Sequence, residues 1–187
     1  MPKYEETSVA AIFQNNAEKL GERAYAAYKT GGAYRDISWM EMNRMVHALA
    51  YYLLSRGIGK GDRVSVFSPN RYEWHLAALA INSIGAADVP IYATNSAEEA
   101  EYILGNSEAK ICLVGTKDHL DKVLEVKTKL PNLGDVVIFD ELDRKIDGVM
   151  MLREALEKGE AAKNENLFDE RLRGIRGDDL CTLIYTS

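Results

Sequence analysis

Hydrophobic residues follow two different spacings along this chain, and the changes of spacing divide it into short helices and strands. Helical spacing of apolar residues predicts a first helix over residues 8–20. Two strand-like runs, residues 25–30 and 33–37, then flank Gly31 and Gly32. Two adjacent glycines tolerate the positive φ angles that a tight hairpin requires. The chain is therefore predicted to begin with a helix and a β-hairpin.

Three later helices are predicted from the chemistry of their ends. Each has a Ser or Asn three residues before a glutamate, a pair that satisfies the free N–H groups at a helix start, and each then runs to a glycine. The pairs are Ser38 with Glu41, Asn70 with Glu73, and Ser96 with Glu99, and the expected stops are Gly57, Gly85 and Gly105. A further helix is expected over residues 118–130, because Pro131 cannot continue it.

Short β-rich runs lie between these helices. They cover residues 63–67, 88–92, 110–114 and 135–139. This alternation predicts right-handed βαβ units and a mostly parallel sheet flanked by helices, so the expected fold class is α/β. Residues 140–177 are rich in charge and have only a modest helical pattern near Leu152. We expect them to form a solvated surface excursion without chemistry, which returns the chain to a last strand at residues 180–185.

Composition narrows the possible partners. The net charge of −6 argues against nucleic acid, because binding to a phosphate backbone requires clustered Lys and Arg. Polar residues interrupt every apolar run well before the roughly 18 residues that a membrane span needs. The amino terminus also has no apolar signal region. We therefore expect no nucleic acid partner, no membrane span and a cytoplasmic location.

The spacing and sequence context of the glycines, histidines and cysteines offer few candidate catalytic groups. The glycines of residues 57–62 follow a predicted helix and precede a strand, the reverse of a nucleotide-binding loop, and so predict a helix end and a turn. The histidines lack metal-ligand spacing, and the cysteines stand in apolar runs typical of buried, inert thiols. These residues are His47, His75, His119 on a charged helix face, Cys112 and Cys181. No complete catalytic site follows from them.

The last residues, Tyr185-Thr186-Ser187, place two hydroxyl side chains at the carboxyl end of a predicted strand. Phosphate-binding loops often begin in this way, because hydroxyls and backbone N–H groups there can face an anion. The tripeptide alone is too short to assign a site.

Longer motifs resemble the AMP-forming acyl-CoA synthetase and adenylation-enzyme family. Residues 54–64 are similar to the family passage that ends G-V-x-K-G-D-R-V, and residues 70–80 match N-x-x-E-W-x-x-A-x-L-A. Residues 91–110 resemble I-Y-x-T-x-x-x-E-x-x-x-Y-I-L-x-x-S-x-A-K of the long-chain fatty acid:CoA ligase branch. Residues 185–187 then match the opening of the ATP-phosphate motif Y-T-S-G-T-T-G-x-P-K-G.

The resemblance implies that residues 1–187 are the amino-terminal portion of a larger AMP-binding, adenylate-forming domain, cut at the start of the phosphate motif. It implies a ligase that joins a fatty acid to CoA with ATP and Mg²⁺ through an acyl-adenylate. Thr186 and Ser187 map onto the ATP-phosphate motif, Thr186 is also a candidate magnesium contact, and no catalytic residue maps onto the chain.

Two consequences and two alternatives follow from the resemblance. The isolated chain is expected to be inactive, and its uncovered surfaces are expected to favour self-association, for instance as a homodimer. The first alternative is an adenylating ligase for short or aromatic acids. The second is a self-standing, non-catalytic α/β binding module.

Overall fold

The structure, a computed structural model, describes residues 2–5 and 8–186. The helices are α1 Val9–Leu20, α2 Trp39–Ser55, α3 Tyr72–Ser83, α4 Ala97–Asn106, α5 Lys117–Val126, α6 Leu152–Ala161 and α7 Glu165–Arg173, and a 3-10 turn at Lys127–Lys129 follows α5. The strands are β1 Ala24–Thr30, β2 Ala33–Ser38, β3 Arg63–Phe67, β4 Ala87–Ile91, β5 Ile111–Val114, β6 Val136–Ile138 and β7 Val149–Met151. Strands β1 and β2 pair antiparallel as the expected hairpin.

The other five strands form a parallel sheet in the order β4-β3-β5-β6-β7. The chain moves from β3 to its neighbour β4 and then crosses back to the other side of β3 to lay down β5. The loops that follow β3 and β5 therefore lead away in opposite directions and leave a crevice at the carboxyl end of the sheet. The predicted α/β class, with a mostly parallel sheet flanked by helices and a small hairpin, is confirmed.

Both faces of the sheet are buried. Val64 and Val66 of β3 pack on one face with residues of α1, α2, α3, α6 and α7, whereas Phe67 packs on the other face with residues of α4 and α5. This division follows from the two-residue period of a strand, which sends successive side chains to opposite faces. Helices on both faces are what a parallel sheet requires.

Two of the three predicted helix caps are present. The Ser38 hydroxyl accepts the Glu41 N–H, and Ser96 forms a full capping box with Glu99. The predicted Asn70 cap is wrong, because α3 begins after Arg71, which makes no side-chain cap.

The glycine stops are also partly correct. Gly57 and Gly85 take φ angles of 78° and 76° just after α2 and α3. Helix α4 ends at Asn106, within one residue of the stop expected at about Gly105, but the left-handed turn is made by Glu108, with a φ of 52°, and not by Gly105. Residues 57–62 form the expected helix end and turn, in which the Gly59 N–H donates to the Asp62 carboxylate at 2.9 Å.

The helical pattern near Leu152 is confirmed as α6, but the prediction that residues 140–177 form a solvated surface excursion is wrong. This segment supplies the edge strand β7 and two helices, and it buries Leu152, Ala155, Phe168 and Leu172 in the core. Its few apolar residues lie at helical spacing on the inward faces of α6 and α7, so the many charges around them conceal an amphipathic pattern.

Helix α6 packs directly on the backbone of α2 at Gly159. A Cβ atom at Gly159 would lie 1.8 Å from the Ala48 carbonyl oxygen and 3.0 Å from the Tyr52 nitrogen. These are backbone atoms, so a side chain at position 159 would force the two helices apart. The glycine sets the distance between them.

We predict that Gly159→Ala lowers the free energy of unfolding by about 1–3 kcal/mol, the usual cost of overfilling a packed interface. The measurement is urea denaturation followed by circular dichroism. Gly59→Ala is the matched control, because nothing lies within 4 Å of its added methyl group and its φ is not positive. Equal stabilities for the two variants would contradict the close packing.

Candidate functional site

Two clefts open near the carboxyl end of the parallel sheet. One, of about 700 Å³, lies between the ends of β3 and β4 and residues 181–184, and its apolar lining includes Trp74, Pro90 and Ile184. The other, of about 820 Å³, lies between the hairpin and the loops after β3 and β6 and is more polar. Ligands of open α/β sheets bind at this end of the strands. The carboxyl edge is therefore the candidate site.

The carboxyl-terminal segment, residues 180–186, runs beside β4 in the parallel direction. The Asp88 N–H donates to the Cys181 carbonyl at 3.0 Å, and the Leu183 N–H donates to the Asp88 carbonyl at 2.9 Å. These two bonds make one isolated bridge between Asp88 and Thr182. The predicted strand at residues 180–185 is therefore wrong as a regular strand, although its position and direction fit the sheet.

Pro90 explains why the pairing stops after one bridge. In a parallel ladder the next bond would run from the N–H of residue 90 to the Leu183 carbonyl, and proline has no N–H to donate. Proline in a sheet is confined to edge positions for this reason. The sequence predicted this strand from its apolar pattern alone and overlooked the neighbour with which it had to pair.

A buried carboxylate strengthens the single bridge. The Asp88 side chain accepts hydrogen bonds from Asn82 Nδ2 at 2.9 Å and from Thr182 Oγ1 at 3.1 Å, and the residue is only 6% exposed. Burial raises the pKa of Asp88, while these two hydrogen bonds act to lower it. Sequence reasoning missed this group. The available signal was an aspartate within an otherwise apolar strand.

The bridge register locates Thr186. Thr182 lies opposite Asp88, so Thr186 lies four residues further along, just past Ile91 at the end of β4. Thr186 is exposed. The preceding residue is anchored, because the Tyr185 hydroxyl donates to Asn106 Oδ1 at 2.7 Å. Ser187, the other predicted phosphate contact, lies outside the described residues.

Arg71 joins the three loops that follow β3, β5 and β6. Its guanidinium makes two 2.8 Å bonds to the Glu73 carboxylate, one of 2.8 Å to Asp140 and one of 3.0 Å to the Gly115 carbonyl. The hydrogen bonds to Glu73 are the largest cause of the raised pKa of Arg71. Arg71 is therefore committed to structure at this edge, and the glutamate expected in a capping box is its partner instead.

The sequence suggested that His119 lies on a charged helix face, but the structure places it elsewhere. The residue is buried, its Nε2 lies 3.1 Å from the Ala93 carbonyl, and its Nδ1 lies 2.6 Å from the Thr116 hydroxyl. A carbonyl can only accept, so Nε2 donates to Ala93. The ring thereby ties the loop after β4 to the start of α5.

The two cysteines differ. Cys112 is fully buried, and burial raises the pKa of its thiol to about 12, as expected for an inert thiol. Cys181 is exposed, which contradicts its predicted burial, because the single bridge beside β4 does not enclose its side chain.

Comparison with known proteins assigns the family. The profile of the family described as "AMP-binding enzyme" matches residues 13–187. The chain belongs to this family. Among curated proteins, this AMP-binding chain is 36% identical over 156 residues to the Mycobacterium tuberculosis long-chain-fatty-acid–CoA ligase FadD15, covering 83% of the chain and 25% of the relative. It is 29% identical over 181 residues to the Xenopus laevis long-chain-fatty-acid–CoA ligase ACSBG2, and the match covers 96% of the chain and 24% of the relative.

Solved structures share the fold of this AMP-binding chain. The anthranilate CoA ligase AuaEII, in complex with anthranoyl-AMP, superposes with a TM-score of 0.76 at 19% identity, covering all of the chain and 33% of that protein. A putative long-chain-fatty-acid CoA ligase from Rhodopseudomonas palustris superposes with a TM-score of 0.68 at 22% identity, covering 79% of the chain and 36% of that protein. The chain thus spans about a quarter of the length of the curated relatives it matches.

Residues 2–5 and 8–186 contain no group of three or more His, Cys, Asp or Glu side chains placed to hold a metal ion. In the same residues, no helix has the length and apolar character needed to cross a membrane.

His47 lies far from the carboxyl edge, on the outer helical layer. Its ring packs on Phe168 at 4.1 Å between centroids, Nε2 lies 2.9 Å from Gln14 Oε1, and Nδ1 lies 3.3 Å from the Tyr51 hydroxyl. Burial lowers the pKa of His47 from 6.5 to about 4. The ring is therefore neutral in the folded protein at neutral pH.

We predict that this histidine makes the fold sensitive to acid. Between pH 6.5 and about 4 the unfolded chain binds a proton that the folded chain excludes, so stability falls as the pH falls. The shift is worth at most about 3 kcal/mol. Unfolding by urea at several pH values should show a wild-type advantage over His47→Gln at pH 7 that shrinks toward pH 4. A constant difference would contradict the buried neutral ring.

Proposed function

We propose that this chain is the amino-terminal portion of an AMP-forming ligase that joins long-chain fatty acids to CoA. The observation that carries the proposal is the family match over residues 13–187, together with curated relatives named long-chain-fatty-acid–CoA ligases. The geometry adds support, because the segment that ends in Thr186 approaches the ligand-binding edge of the sheet.

The proposed reaction has two steps. A carboxylate oxygen of the fatty acid attacks the α-phosphate of ATP, the bond to the β-phosphate breaks, and acyl-adenylate and diphosphate form. The sulfur of CoA then attacks the acyl carbon, AMP leaves, and the thiol proton is released. In both steps the protein must hold charged groups in line, which is catalysis by positioning and electrostatic stabilisation.

The part of this reaction that the chain can serve is phosphate binding. Thr186 is exposed at the carboxyl edge, where its hydroxyl can donate to a phosphate oxygen. Mg²⁺ at nucleotide sites keeps several waters and takes few protein ligands, and a Ser or Thr hydroxyl is one of those ligands in P-loop enzymes, so the hydroxyl of Thr186 can serve as a single ligand. When bound, Mg²⁺ offsets the charge of the triphosphate. Ser187 remains a proposed second phosphate contact.

Other expectations stay predictions. A cytoplasmic location is one of them. Self-association is another, and exposed apolar side chains such as Val9 and Ile184 support it, at 68% and 62% exposure.

The function is tested by comparing the 187-residue chain with the complete gene product, each supplied with ATP, Mg²⁺, CoA and a carboxylic acid. We predict acyl-CoA formation by the complete protein, with hexadecanoate preferred over butanoate and benzoate. The 187-residue chain alone should form none, because most donors for the phosphates would lie beyond it. Liquid chromatography with mass spectrometry measures the thioester.

The alternatives give different results in this assay. Preference for butanoate or benzoate would favour the ligase for short or aromatic acids. No turnover by the complete protein with any acid would favour the non-catalytic module. Turnover by the 187-residue chain would show that its own residues suffice.

A second prediction concerns Thr186 in the complete protein. Thr186→Val keeps the shape of the side chain and removes its hydroxyl, so adenylate formation should slow by about 5- to 150-fold, the value of a hydrogen bond to a charged group. The thioester step, started from prepared acyl-adenylate, should change much less. Rapid-quench measurement of each half-reaction separates the two.

Thr128→Val is the matched control, because Thr128 is an exposed threonine in the 3-10 turn after α5 and lines neither of the two clefts. Equal slowing of both half-reactions by Thr186→Val, or no slowing of either, would make Thr186 a structural residue.

A further inference from the structure

The carboxyl-terminal segment is held to the sheet by unusually little backbone pairing for its position. One bridge, between Asp88 and Thr182, supplies two hydrogen bonds. Pro90 removes the donor for the next rung. Backbone pairing alone therefore leaves Leu183 to Thr186 without a continuous ladder on the β4 side.

The side chain of Asp88 adds hydrogen bonds that the missing backbone pairing does not provide. Its two carboxylate oxygens are used separately, Oδ2 by the hydroxyl of Thr182 and Oδ1 by the amide of Asn82 in α3. Asn82 Nδ2 also lies 3.3 Å from the Cys181 carbonyl. Asp88 and Asn82 thus connect the segment to both β4 and α3 beside the single bridge.

Burying the aspartate carboxylate at this position costs free energy unless hydrogen bonds offset the loss of water. β4 is a buried strand of a parallel sheet, where an apolar side chain is usual, and a buried carboxylate must be offset by hydrogen bonds. The partners that offset it belong to the segment and to the helix that supports the segment. The contacts of Asp88 therefore account for its presence in the strand.

We propose that Asp88 is a positioning residue, which acts through Thr182 to hold the segment leading to Thr186 at the carboxyl edge of the sheet. The role of Thr186 in this statement rests on the proposed ligase function. Asp88 itself does not contact the phosphates in this proposal. It fixes the direction in which the chain leaves the sheet, four residues before Thr186.

The first experiment measures the hold without any substrate. Amide hydrogen exchange of Leu183, followed by NMR in the 187-residue chain, reports opening of the bridge. Thr182→Val, which keeps the side-chain shape, should speed this exchange by about 5- to 10-fold, the value of one hydrogen bond. Thr182→Ser keeps the hydroxyl and should stay within about twofold of wild type by the same reasoning.

Changes at Asp88 test the same contacts from the other side. Asp88→Leu removes both acceptors and should speed exchange at least as much as Thr182→Val. Asp88→Asn can accept from Asn82 and donate to the Thr182 hydroxyl, so it should retain most of the protection. Thr128→Val is the matched control for the loss of a threonine hydroxyl. If Asp88→Leu does not fold, Thr182→Val still decides the result.

The second experiment measures positioning in the complete protein. Thr182→Val should slow adenylate formation by about 5- to 10-fold and leave the thioester step within about twofold, because only the first step uses the triphosphate. Thr182→Ser should restore the rate. A residue that merely stabilises the fold would slow both steps or neither.

The outcomes separate this proposal from the proposed function. If Leu183 exchanges no faster in Thr182→Val than in Thr128→Val, the proposal that the Thr182–Asp88 contact holds the segment is overturned. An active ligase whose Thr182→Val variant forms adenylate at the wild-type rate would overturn the positioning role alone. A complete protein that forms no acyl-CoA would overturn the proposed function and, with it, the positioning role.

Discussion

The structure depends on one constraint, that a parallel sheet must be covered on both faces. β3 lies between β4 and β5 and sends Val64 and Val66 to one helical layer and Phe67 to the other. The crossover helices then have a face to bury, and polar loops converge at the carboxyl ends of the strands. The position of the candidate site follows from how the core is closed.

At the carboxyl edge, hydrogen bonds of polar side chains connect segments that backbone pairing connects in the rest of the sheet. Arg71 connects three loops and His119 connects two elements, while Asp88, near the start of β4, holds the segment that leads to the edge. Each is a charged or titratable group with a partner distant in sequence. These contacts connect the loops of the edge, which contains little secondary structure.

The sequence predicted the elements whose signals are local. The caps at Ser38 and Ser96 and the left-handed turns at Gly57 and Gly85 need only a few neighbouring residues, and they are present. One local signal failed, at Asn70, because Glu73 pairs with Arg71 instead. The larger errors concern features that depend on a distant partner. Residues 180–185 failed to form a regular strand because of Pro90, and the helical pattern near Leu152 was taken for a surface excursion because its partner α2 is distant in sequence. The candidate site was predicted only at its last residues, since the partners of Asp88 and Arg71 cannot be identified from spacing.

The bonds of Arg71 have a consequence for how the molecule acquires its shape. They reach across 44 residues to Gly115 and 69 residues to Asp140, so they close long loops and cannot form until the strands between them are aligned. The helices and the hairpin are formed by contacts between residues close in sequence, so they do not require this alignment. We therefore expect the carboxyl edge to be assembled late in folding, after the scaffold that carries it.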